Sequence, residues 1–214
     1  MRYVSFATLF ITFSAFGQNG SVSVTDDLGA VGRMDRPTKS LYELLGASHY
    51  SATFKFPGGK THEVVLVMKS IYKDSVAAVD TLINSMRWKT MIKGGAPFDP
   101  KEEVFFVGQR VDSMHFKLLF RFGNMNMTQR TIELPWPNNG YMLDEGIRSR
   151  GKAMPVEFGT PLPMMVLTQP YPDPPLPKKA VIQRYCFGVD TPPEQWPATY
   201  GVPHLFVFEL TVLP

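Results

Sequence analysis

The chain has 214 residues, 44% hydrophobic and only 19% charged, a balance that supports one full core and excludes intrinsic disorder as the main state. Nineteen prolines and 17 glycines beside 16 phenylalanines describe short segments joined by stiff turns, not a helical bundle or coiled coil. A formal net charge of +3, from 22 basic residues scattered among 19 acidic ones, excludes the concentrated basic face that nucleic acid or an anionic membrane surface demands.

The chain opens with Arg2 ahead of an apolar stretch carrying Val4, Phe6, Leu9, Phe10, Ile11 and Phe13, closed by Ala15, Phe16 and Gly17. A short basic start, an apolar centre too short to span a bilayer and small residues at the cleavage positions spell a secretory signal. The expectation is a signal peptide over 1–17, a single domain over 18–214, and a secreted or periplasmic protein with no integral membrane segment once the signal is removed. The competing reading is a buried N-terminal strand or helix. Cys186 is the one cysteine, so no internal disulfide forms and stability must come from packing and sheet hydrogen bonds.

Ser40 and Glu43 have capping-box spacing, with Pro37 upstream and Gly46 as a stop, which predicts a short helix over 40–45. Strands are expected over 50–56 and 62–69, and Pro57-Gly58-Gly59-Lys60 between them reads as the turn of a hairpin. Behind Asp74, Val76, Val79, Ile83 and Met86 recur at intervals of three, four and three, which predicts a helix over 75–86. A strand competes there, because Val76, Val79, Thr81 and Ile83 are also β-formers.

Further strands are expected over 103–111, 114–122 and 128–134, with hairpins closed at Asp112-Ser113 and Gly123-Asn124. Alternation is strictest in the middle one, where Met114, Phe116, Leu118, Phe120 and Phe122 face one way and His115, Lys117 and Arg121 the other. Strands over 164–168 and 181–187 follow, and Cys186 reads as a small hydrophobe on the second. Prolines crowd the region from 161 to 203, so 169–177 should cross the surface as extended chain. At the C-terminus Phe206, Phe208, Leu210 and Val212 alternate inward, with Glu209 and Thr211 outward. The expected fold is mainly β: an antiparallel two-sheet sandwich of about eight to ten strands with one or two short helices.

No motif announces a catalytic centre, a metal or a cofactor. Gly59-Lys60-Thr61 matches the end of a phosphate-binding loop, but Phe54 stands where its first glycine belongs. His62-Glu63 lacks the second histidine of a zinc helix, Leu66 holding that position, and His49, His115 and His204 lie far apart and read as surface or strand-end residues. Asn19 and Asn126 head glycosylation sequons.

Aromatic residues in proline-stiffened loops are the remaining signal. Trp136 and Tyr141 lie in one such loop, Trp196 and Tyr200 in another. Rings held by rigid backbone contact sugars or peptide side chains at low ordering cost, so these four form a candidate ligand surface for a glycan or protein partner. The alternative for each tryptophan is a plug at the end of the core. Two rival functions remain: a secreted hydrolase pairing Asp144 or Glu145 with Glu194, and an assembly subunit that adds a strand to a neighbour, braced by the proline-rich segment.

Overall fold

The computed structural model describes residues 22–26, 35–55, 63–72, 75–85, 101–122, 128–135, 141–146, 153–169 and 191–213. In chain order the elements are β1 (Val22–Asp26), α1 (Arg36–Leu44), β2 (Ala47–Lys55), β3 (Val64–Tyr72), β4 (Ser75–Asn84), β5 (Lys101–Arg110), β6 (His115–Phe122), β7 (Thr128–Glu133), β8 (Met142–Glu145), β9 (Met154–Val156) and β10 (Leu162–Thr168). A 3-10 turn (Pro193–Gln195) then leads directly into α2 (Trp196–Tyr200) and β11 (His204–Val212). The signal segment, the strand expected over 181–187 with Cys186, and all but Gln169 of the surface crossing expected over 169–177 lie outside the described residues.

The strands form two antiparallel sheets, ordered β7-β6-β5-β2-β1-β9 and β4-β3-β11-β10-β8, so the chain is a mainly β sandwich with two short helices. Alternation explains the interior. Phe116, Leu118 and Phe120 of β6 and Phe206, Phe208 and Leu210 of β11 are buried in one cluster that also takes Phe54, Phe106 and Leu66. Burying side chains of this size stabilises by about 1.5–3 kcal/mol each, which replaces the cross-links the chain lacks.

Several elements depart from the sequence-based expectation. Residues 75–84 are strand, not helix. The register of β4 against β3 slips twice, leaving Ala77 and Leu82 as extra residues. Directly opposite residues share a face, so Val76 and Val79, three apart, both accompany the outward residues Ile71 and Lys69 of β3. The first bulge thus gives a strand an interval that belongs to a helix.

Helix α1 begins four residues before the expected start. Asp35 caps it, its carboxylate accepting from the Thr38 backbone N–H at 3.0 Å and the Thr38 hydroxyl at 2.7 Å, while Gly46 stops it with φ of 58°. The backbone bond, with the side-chain bond next, holds the Asp35 carboxyl below its ordinary range. The hairpin expected at 57–60 is also corrected. β2 and β3 belong to different sheets, so residues 56–62 connect two layers instead of two paired neighbours. The β5–β6 and β6–β7 pairings form as expected. In the first, Asp112 Oδ1 accepts from the backbone N–H groups of Met114 and His115 at 2.7 and 2.8 Å.

Strand β11 is buried on both faces. Its inward face enters the main core as alternation requires. The other face carries Leu205 and Val207 into a second cluster with Ile71, Val166, Val202 and Trp196. The 3-10 turn and α2 therefore act as a cap laid on the outside of the five-stranded sheet, and Glu209, expected outward, lies 2% exposed beneath the surface.

Candidate functional site

The structure separates the four aromatic candidates. Trp136 lies outside the described residues. Tyr141, one residue before β8, is buried and points its hydroxyl at Nδ1 of His204, 2.6 Å away. Trp196 is 3% exposed, and its indole N–H donates to the Thr191 carbonyl at 2.9 Å. An exposed Trp196 is thereby corrected: prolines on both sides fold its ring back over β11 as the plug of the second cluster. Tyr200 is half-buried, its hydroxyl 3.0 Å from Thr191 Oγ1. Trp196 and Tyr200 thus share one partner residue, whereas Tyr141 belongs to the opposite face of the sheet.

On that inner face a polar chain runs through His204. Ser70 Oγ lies 2.9 Å from Nε2 and the Tyr141 hydroxyl lies on Nδ1, so one ring ties β3, β11 and the approach to β8 together. The Tyr72 ring packs 4.3 Å from the imidazole and the Phe206 ring 4.5 Å from it. Burial lowers the His204 pKa from 6.5 to about 4 and raises that of Tyr141 well above the usual phenol range, with the Tyr72 charge adding a smaller push. A neutral imidazole donates through one nitrogen and accepts through the other, which suits two hydroxyl partners.

The Ser70–His204 contact has the outline of a nucleophile and its base. Its chemistry is different. Activating a serine requires an imidazole that gains a proton near neutral pH, steadied by a carboxylate on its far nitrogen. Here a phenol occupies that place and burial opposes the charged ring. The chain fastens strands.

A second cluster lies on the outer face. Lys69 Nζ donates to Glu209 Oε1 at 2.6 Å, joining β3 to β11 across a diagonal of the ladder. Glu194, in the 3-10 turn of the cap, lies near enough to bear on the ionisation of Glu209. Burial first, and Glu194 after it, raise the Glu209 pKa in spite of Lys69. The expected pairing of Asp144 or Glu145 with Glu194 falls on Asp144 and Glu145 side chains that lie outside the described residues.

Sequence reasoning missed His204 and Glu209. For His204 the signal was present, since it stands two positions before Phe206 on the inward parity of β11. For Glu209 no local signal exists, because its burial depends on a cap that folds over from residues 191–201. Among the described residues the other two histidines sit apart: His49 packs against the rings of Tyr42 and Phe105, and His115 pairs with Asp112 at 2.9 Å on the surface. Among the described residues no three His, Cys, Asp or Glu side chains gather as a metal-holding group, and no helix is long and apolar enough to cross a membrane. No family model, curated protein or solved structure matches the chain.

Proposed function

We propose that the protein is exported and works outside the cytoplasm as a non-enzymatic module that binds a protein partner through apolar residues on its surface. The observation that carries this reading is the distribution of exposed large hydrophobics. Leu41, Leu44 and Leu45 stand out at the end of α1, Leu44 at 83% exposure, with Val111 just past β5; Val76 and Val79 stand out on β4. Leu45 is held beside the end of β5, its carbonyl accepting from Gln109 Nε2 at 3.0 Å, so the leucines and Val111 belong to one end of the molecule. Single exposed apolar residues are ordinary, whereas grouped ones mark partner surfaces.

The inward turn of Tyr141 and Trp196 weakens the glycan alternative, which now rests on Tyr200 and Trp136. Strand β4 also lends support to the assembly alternative. It ends its sheet, is exposed from Ser75 to Thr81 and carries Asp80 as its one charge, a thin defence for an edge.

Cross-linking of tagged protein in the envelope fraction of its host tests the reading. The parent should yield a discrete protein adduct, Leu44→Glu or Val79→Glu should lose it, and the purified exported chain should begin after Gly17. An adduct unchanged in both variants, or a cytosolic protein that retains Met1, overturns the proposal.

A further inference from the structure

We infer that β4 is a self-pairing edge: two copies of the chain join β4 to β4, antiparallel about a two-fold axis between Ala77 and Ala78, and so merge their five-stranded sheets into one. This rests on the reading of Val76 and Val79 as a contact surface and names the partner of that surface, a second copy.

Among the described residues four strands end the two sheets, and three of them are guarded. β9 has three residues with Pro155 in the middle, β8 has four with Asp144 and Glu145 among them, and β7 carries Arg130 and Glu133. Shortness, proline and charge are the ordinary means of keeping a sheet edge from pairing. β4 is ten residues long with Asp80 as its one charge, and every residue from Ser75 to Thr81 is exposed. Val76 is 49% and Val79 60% exposed.

The bulge decides what fits this edge. Ser75, Ala78 and Asp80 lie opposite Tyr72, Ser70 and Met68 of β3, on the inner parity, while Val76 and Val79 lie opposite Ile71 and Lys69 on the outer. A regular strand laid along the free side must slip at Ala77, as β3 does, and loses ladder bonds there. A strand with the same bulge runs past without slipping. The sequence Ser-Val-Ala-Ala-Val-Asp reads alike from either end: polar, apolar, small, small, apolar, polar. Pairing about its centre sets Ser75 opposite Asp80 of the second copy, Val76 opposite Val79, and Ala77 opposite Ala78. Every inner residue then meets an inner one and every outer residue an outer one, as a continuous sheet requires.

Other axes do worse. One on Ala77, on Ala78 or between Ala78 and Val79 opposes outer residues to inner ones, and one on Asp80 sets two carboxylates together. An axis on Val79 opposes exposed Val76 to buried Leu82, and one between Val76 and Ala77 carries Val79 past the start of the facing strand. The chosen axis gathers the four valines of two copies on one face. Each copy spends its edge once, so the assembly closes at two. Six residues a side make a contact smaller than a standard interface, so the dimer should dissociate on dilution.

Sedimentation velocity of the purified protein should show monomer giving way to dimer as concentration rises. Val79→Lys alters an exposed residue, so it should keep the β spectrum in circular dichroism and stay monomeric. Single cysteines in a Cys186→Ala background read the register. Val76→Cys mixed with Val79→Cys should form severalfold more disulfide dimer under mild oxidation than either variant alone, whose like thiols would stand three residues apart along the ladder, roughly 10 Å. A monomer at every concentration, a dimer that Val79→Lys leaves intact, or Val79→Cys alone cross-linking as well as the mixture overturns the self-pairing. A monomer whose envelope adduct holds a different protein overturns the self-pairing and leaves the reading of the surface standing.

Discussion

Tyr141, His204 and Ser70 form a polar chain inside an aromatic end of the core, where a lost partner is expensive. Tyr141→Phe keeps the ring and removes the hydroxyl from a buried nitrogen, so it should cost about 1–3 kcal/mol in urea unfolding. His204 also sets a pH dependence. The unfolded ring takes up its proton near pH 6.5 and the folded ring near 4, so the unfolded state gains the proton first as pH falls, and stability drops through that window. Between neutrality and pH 5 the loss amounts to about 2 kcal/mol, and a His204→Gln variant should show no such loss. Equal slopes in parent and variant would mean that another group carries the acid sensitivity. The parity of β11 would have placed His204 inward from the sequence. What it could not supply were Tyr141 and Ser70, 63 and 134 positions away in the chain.

Elements with strict alternation were legible, and those with bulges were not. β6 and β11 could be placed because every second residue is large and apolar, a pattern only a pleated strand buries on one side. β4 breaks that period twice, and a bulge imitates the three-residue step of a helix. The same physics operates on the other side of β11, where β10 shifts register against it between Pro163 and Met165. Gly146, just past β8, lies against that irregularity and its N–H donates to the Met164 carbonyl at 3.0 Å. A Cβ there would sit 2.6 Å from the Pro163 carbonyl oxygen and 2.8 Å from the Met165 nitrogen, both backbone atoms that cannot turn aside. Gly146→Ala should therefore destabilise by about 1–3 kcal/mol. A neutral result in thermal unfolding would show that β8 can lift away from β10 at little cost.

At the scale of the whole molecule the two sheets differ in how far apart in sequence their strands lie. β5, β6 and β7 are consecutive and pair as a meander, whereas β3 pairs along its full length with β11, joining Lys69 to Glu209 across 140 residues. Closing that loop costs entropy before any contact repays it, so folding should be slow, on the order of milliseconds to seconds, with the meander formed first. Two core truncations separate the stages. Phe120→Ala in the meander and Leu210→Ala in β11 should each lose about 2–5 kcal/mol at equilibrium, since both side chains are fully buried. Their kinetics should part. Phe120→Ala should slow refolding in stopped-flow mixing and leave unfolding nearly unchanged, because its contacts are made on the way up. Leu210→Ala should spare the refolding rate and speed unfolding, because β11 docks after the barrier. The reverse partition would mean that the sheet centred on β11 nucleates the fold despite its long-range pairing.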